Sequence, residues 1–107
     1  MKIVTLSFVA ALAAGVGSVS ATERLSDAEY LALGRCAGLA AGLDQNADNW
    51  RAAFRAGAHG RSTMARDEGD RHHDEARRSA RRSDEVRRRQ LAAELQGRCA
   101  AFAPTPS

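Results

Sequence analysis

The chain of 107 residues has few aromatic residues and few prolines: three Phe, one Tyr, one Trp and two Pro. Any core must therefore be thin and built mostly from small residues. No stretch alternates apolar and polar residues between turn signals, which excludes a mainly β fold and favours an all-α fold. No glycine-rich phosphate loop or dinucleotide fingerprint is present, and no helper acid accompanies His59 and Ser62. We therefore do not expect an enzyme.

The N-terminus has the pattern of an export signal. A positive start is followed by the apolar run Ile3–Ala14 and by the small residues Val19–Ala21, which predicts cleavage after Ala21. An uncleaved anchor is the alternative, since the run is uncharged, but its glycines and serines weaken that interpretation. We predict a signal peptide at 1–21, a helical domain at 22–103 and a disordered tail at 104–107, in the periplasm or secreted, with no stable membrane insertion after cleavage.

Two cysteines, Cys36 and Cys99, are present in the whole chain. An oxidising compartment favours a disulfide between them. Closing a loop of this length stabilises a fold by about 4 kcal/mol on the chain-entropy estimate. The alternative is a bond between two chains, which would give a homodimer.

The first helix is predicted from a capping box, Ser26-Asp27-Ala28-Glu29, and runs to about Leu43. Gly34, Gly38 and Gly42 form a stripe at four-residue spacing, which indicates either a close approach of another backbone or a loosely formed helix. The apolar face is predicted to hold Leu25, Ala28, Ala32, Cys36, Leu39 and Leu43.

The polar stretch 44–49 predicts a turn, with Asn46 or Asp48 as the cap of a second helix. Because Cys99 must return to the level of Cys36, the chain has to reverse between His72 and Ser83. The expected fold is a small all-α three-helix bundle, an N-terminal helix plus a helical hairpin, stapled by one disulfide. The nearly all-charged segment 71–90 should project from it as a loosely held hairpin.

A histidine cluster is the first candidate site. Carboxylates and imidazoles at helical spacing suit a transition metal. Neighbouring histidines on a helix point about 100° apart, however, so solvated polar residues flanking a bend are the favoured interpretation. The candidate ligands are Glu68, His72, His73 and Glu75.

An arginine run is the second candidate site. Guanidinium groups pair with phosphate and carboxylate in a planar fork. The alternative is a solvated face whose arginines pair with Asp74 and Glu85 on their own helices. The run has no aromatic residue on which bases could stack, so nucleic acid is not expected. Its residues are Arg77, Arg78, Arg81, Arg82, Arg87, Arg88 and Arg89.

These observations predict a small exported helical protein with a structural or protein-binding role and no resident cofactor. Two alternatives remain open: a periplasmic hairpin that binds or senses a transition metal, and a cationic module that binds anionic envelope components. The partner is therefore an unidentified protein or an anionic component of the cell envelope.

Overall fold

The computed structural model describes residues 24–105, which contain four α-helices and no strand. The helices are α1 (Asp27–Leu43), α2 (Ala47–Gly57), α3 (Thr63–Arg81) and α4 (Glu85–Gln96), followed by a 3₁₀ turn (Arg98–Phe102). The all-α class is confirmed. The predicted signal peptide at 1–21 lies outside the described residues, and the predicted tail at 104–107 lies partly outside them.

The predicted three-helix bundle is wrong, because the second predicted helix is divided into α2 and α3. Gly60 adopts a positive φ of 78° in the connection, a conformation that glycine enters without strain. Ser62 then caps α3 by accepting a hydrogen bond from the backbone N of Ala65 at 3.1 Å. The reversal before α4, at residues 82–84, falls at the end of the predicted interval, and the Asp84 side chain caps α4.

The start of α1 is as predicted: the Ser26 hydroxyl accepts from the Glu29 backbone N (3.1 Å), and the Ser26 backbone N donates to the Glu29 carboxylate (2.8 Å). The predicted apolar face is only partly correct. Cys36, Leu39 and Leu43 are buried, whereas Ala28 and Ala32 are exposed. Other helices cover α1 on more than one side, so a single stripe does not describe its buried surface.

Helix α3 packs on the glycine stripe of α1. A Cβ atom at Gly34 would lie 3.0 Å from the Gly69 carbonyl oxygen, and one at Gly42 would lie 2.6 Å from that of Arg77. At Gly38 an added Cβ would overlap the carbonyl oxygen of His73. The close-approach interpretation of the stripe is therefore confirmed, and the partner is the backbone of α3.

The register of these contacts shows that α3 runs parallel to α1, since Gly34, Gly38 and Gly42 meet residues of increasing number. Ala76 and Ala80 of α3 are fully buried against the same surface. The prediction that the whole segment 71–90 projects as a loosely packed hairpin is therefore wrong for its first half. Small residues on both helices replace the large apolar side chains that the charged sequence lacks.

Two links hold α4 to α1. Cys36 and Cys99 form the predicted disulfide within one chain, with their Cα atoms 5.8 Å apart. Arg35 donates to both carboxylate oxygens of Glu94, at 2.6 and 2.8 Å. These hydrogen bonds, reinforced by the positive charge of Arg35, lower the pKa of Glu94 below its usual value.

Arg61 fastens the α2–α3 connection to the start of α1. Its side chain is only 4% exposed and donates to the carbonyls of Gly57 (2.7 Å) and Leu25 (2.6 Å) and to the carboxylate of Asp27 (2.7 Å). The guanidinium also lies 4.7 Å from the ring centroid of Tyr30, a cation–π contact. This arginine is therefore a structural residue, unlike those of the predicted run.

Candidate functional site: an arginine corner

The end of α3, the following turn and the start of α4 bring the predicted arginine run together. We call this surface the arginine corner. Because Arg77 lies beside Gly42, near the C-terminal end of α1, the last residues of α3 extend about one helical turn beyond α1. The corner consists of Arg77, Arg78, Arg81, Arg82, Arg87, Arg88 and Arg89.

Self-pairing, the alternative explanation of the run, accounts for little of it. Within residues 24–105, Arg89 is the member that has a carboxylate within 4.0 Å, its guanidinium lying 3.5 Å from Glu85. Arg78 donates to the backbone carbonyl of Asp74 (3.3 Å) rather than to its carboxylate. The charges of the other six members are therefore not neutralised by an ion pair in the described part of the chain.

Two members of the corner are held by the fold. Arg88 donates to the carbonyl of Ala80 (3.4 Å), which ties α4 to the end of α3. Arg77 is half-buried, and its Nε atom is buried without a hydrogen-bond partner within residues 24–105. The remaining members are exposed. Among them, Arg78 and Arg87 form hydrogen bonds within their own helices. The corner therefore combines a fixed base with guanidinium groups that are free to reorient.

Charge is distributed unevenly over the protein. Residues 77–89 contain seven arginines and two carboxylates, whereas the other described residues contain eight arginines and ten carboxylates. One end of the molecule is thus strongly positive and the rest slightly negative. Such a charge dipole orients a protein on an anionic surface. Val86, 56% exposed, adds an apolar side chain among these arginines.

The predicted metal-ligand cluster is brought together only in part. His72 Nε2 lies 3.8 Å from a carboxylate oxygen of Glu68. His73 is on a different side of α3, where its ring stacks on Phe54 with centroids 5.4 Å apart. Glu75 is exposed. Between residues 24 and 105 no three side chains of His, Cys, Asp or Glu are grouped so that they could hold a metal ion.

A second feature, a cleft between α2 and α3, was not predicted from the sequence. It has a volume of about 330 Å³, with Tyr30 of α1, Phe54 of α2 and His73 of α3 in its lining. Their rings form a stack in which Phe54 lies between the other two, 5.2 Å from Tyr30 and 5.4 Å from His73. The three residues are far apart in sequence, so no local spacing could have brought them together.

Comparison with models of protein families, with curated proteins and with solved structures finds no match for this chain. Across the described residues, no helix has the length and apolar character needed to span a membrane.

Proposed function

We propose that this is a small exported, non-catalytic binding protein that docks through the arginine corner on the phosphate groups of an anionic lipid surface. The observation that carries the proposal is the set of six corner arginines that have no carboxylate partner within residues 24–105. Arginine forms paired, charge-assisted hydrogen bonds with phosphate oxygens. The proposal takes up the cationic-module alternative rather than the general protein-binding role.

The shape of the corner favours a flat lipid surface over a small ligand. The arginines lie on a helical corner at one end of the molecule, around the exposed Val86, and no pocket is needed to reach them. A convex, cationic surface with an isolated apolar side chain suits headgroups that can rearrange around it.

The rest of the fold serves as a rigid support for this surface. The disulfide and the Arg35–Glu94 pair fix α4 against α1, and the glycine stripe fixes α3 against the same helix. The two helices of the corner are therefore ordered before any partner binds. Preorganisation of this kind lowers the entropic cost of binding.

The test compares phosphatidylcholine vesicles with and without phosphatidylglycerol as a minor component. The wild-type protein should co-sediment with the anionic vesicles and not with the neutral ones. Arg78, Arg81 and Arg82 are exposed, and replacing all three by Gln should weaken binding about 100-fold, because each arginine near an anionic surface contributes about 1 kcal/mol. Binding should also fall when salt rises from about 0.1 M to about 1 M.

The matched control replaces the exposed Arg55, Arg66 and Arg98 by Gln, which changes the net charge equally but away from the corner. Like the corner residues, these three have no carboxylate within 4.0 Å among residues 24–105. This variant should keep most of the binding. Equal losses in the two triple variants would show that net charge, not the corner, is responsible. Equal sedimentation with both vesicles, or with neither, would contradict the proposal. Full competition by millimolar inorganic phosphate would assign the site to free phosphate instead.

A further inference from the structure

We propose that the cleft between α2 and α3 binds a small aromatic carboxylate. The cleft has three parts that such a ligand requires: the Tyr30 hydroxyl, guanidinium groups from two helices, and the stack of Tyr30, Phe54 and His73. It lies against the N-terminal half of α1, whereas the arginine corner lies at the other end of that helix. The proposal is thus independent of the lipid-binding function.

The position of the Tyr30 hydroxyl indicates a ligand site in the cleft. The residue is 1% exposed, and no hydrogen bond to its hydroxyl is formed within residues 24–105. The hydroxyl keeps some accessible surface, since the fully buried side-chain polar atom without a partner in that range is Arg77 Nε. Because Tyr30 also lines the cleft, a ligand oxygen there can accept a hydrogen bond from its hydroxyl.

The Tyr30 hydroxyl is suited to donate a hydrogen bond. Burial raises the pKa of Tyr30 above its ordinary value, and the negative charge of Asp70 raises it further. The hydroxyl is therefore protonated at neutral pH. A protonated hydroxyl at the base of a cleft hydrogen-bonds a carboxylate oxygen without bringing a charge of its own.

Three arginines line the cleft, and one of them, Arg51, lies 3.4 Å from the carboxylate of Asp48. The other two supply the unpaired positive charge, one from each wall. Arg55 of α2 and Arg66 of α3 both line the cleft, and neither has a carboxylate within 4.0 Å among the described residues. A guanidinium group matches the planar geometry of a carboxylate. Asp70 lies in the same lining, and its negative charge opposes an anionic ligand, so the arginines must outweigh it.

The stacked rings account for the aromatic part of the ligand. Phe54 and His73 are both partly exposed, so a planar ring that enters the cleft contacts their edges and remaining faces. The volume of about 330 Å³ is at the small end of the range for ligand pockets and suits a molecule with one or two rings.

The experiment titrates the folded protein with benzoate, phenylacetate and indole-3-carboxylate, followed by calorimetry and ligand-observed NMR. Benzamide tests the need for the charge, and acetate tests the need for the ring. At least one of the three acids should bind at least tenfold more tightly than benzamide and acetate. Replacing Arg55 and Arg66 together by Gln should weaken it at least tenfold.

Tyr30→Phe keeps the ring and removes the hydroxyl. It should weaken binding of the acid about threefold to tenfold and leave the melting temperature unchanged, because the hydroxyl has no partner in the free protein. Arg71→Gln combined with Arg98→Gln is the control and should bind as the wild type does. If none of the acids binds at millimolar concentration, or if benzamide binds equally well, the proposal is overturned. Binding that is insensitive to both the arginine and the tyrosine variants would place the ligand elsewhere and equally refute it.

Discussion

Loss of the Cys36–Cys99 disulfide is expected to lower the melting temperature by more than about 15 °C. The bond joins residues separated by 63 positions. Cross-linking a loop of this length removes chain entropy from the unfolded state worth about 4 kcal/mol. In a domain of this size each 1 kcal/mol shifts the melting temperature by about 4–8 °C. The core is built from few large side chains, so its packing does not compensate for the loss of the disulfide.

The measurement is thermal unfolding with and without a reductant, for the wild type and for a variant with both cysteines replaced by Ala. Reduction should destabilise the wild type and leave the variant unchanged. Both cysteines are buried, so the double variant also tests whether their packing matters apart from the bond. A melting temperature of the wild type that does not respond to complete reduction would show that the disulfide contributes nothing.

Gly38→Ala is expected to destabilise the protein by about 2–3 kcal/mol, which corresponds to about 10–20 °C in melting temperature. Alanine is normally favoured over glycine inside a helix by about 0.5–1 kcal/mol. At this position, however, the new Cβ would overlap the His73 carbonyl oxygen and lie 3.0 Å from the Ala76 Cβ. Backbone and buried methyl groups cannot move aside as a flexible side chain can, so α3 must shift away from α1.

Gly57→Ala is the matched control. A Cβ at Gly57 would lie 3.3 Å from Leu33 Cδ2, the end of a flexible side chain, and 3.5 Å from Tyr30 Cδ1, an ordinary van der Waals distance. A small adjustment of Leu33 is sufficient, so the change in stability should stay within about 1 kcal/mol. Urea unfolding of both variants gives the comparison. A Gly38→Ala protein that is at least as stable as the wild type would mean that α3 is not packed on the glycine stripe of α1.

The sequence carried enough information to predict the local features of this fold. The capping box at Ser26 depends on spacing within a few residues, and the disulfide follows from the presence of two cysteines in the chain; both are found. The glycine stripe likewise predicted that a backbone would approach closely. What the stripe cannot encode is which segment approaches, because any helix with a smooth face fits it.

The number of helices was missed for a related reason. Gly60 and Ser62 carry the signals of a helix end and a helix cap, but a glycine is also tolerated as a kink within a helix. Interpreting 47 to the mid-seventies as one helix left out the turn before Ser62, after which α3 runs parallel to α1. The charged residues of α3 offer little apolar surface, and the small residues Gly69, Ala76 and Ala80 pack against α1 instead.

The two candidate sites also differ in how far the sequence predicts them. The arginine corner was predicted as a set of residues, because its members are close in sequence. That six of its seven members form no ion pair within residues 24–105 could not be predicted, since helical spacing permits pairs that the side chains do not form. The aromatic cleft requires three helices to meet, so it depended on a topology that the sequence pattern did not resolve.

Both proposed sites depend on one structural claim, that α3 is packed along α1 through the glycine stripe. Hydrogen exchange of the free protein, followed by mass spectrometry, tests this claim most directly. Amides of α3 between Gly69 and Ala80 should be protected to a similar degree as those of α1 between Leu33 and Leu43, because both open only when the helices separate. If the α3 amides exchange at the rate of an unstructured peptide while α1 stays protected, the segment projects from the fold and the account is contradicted.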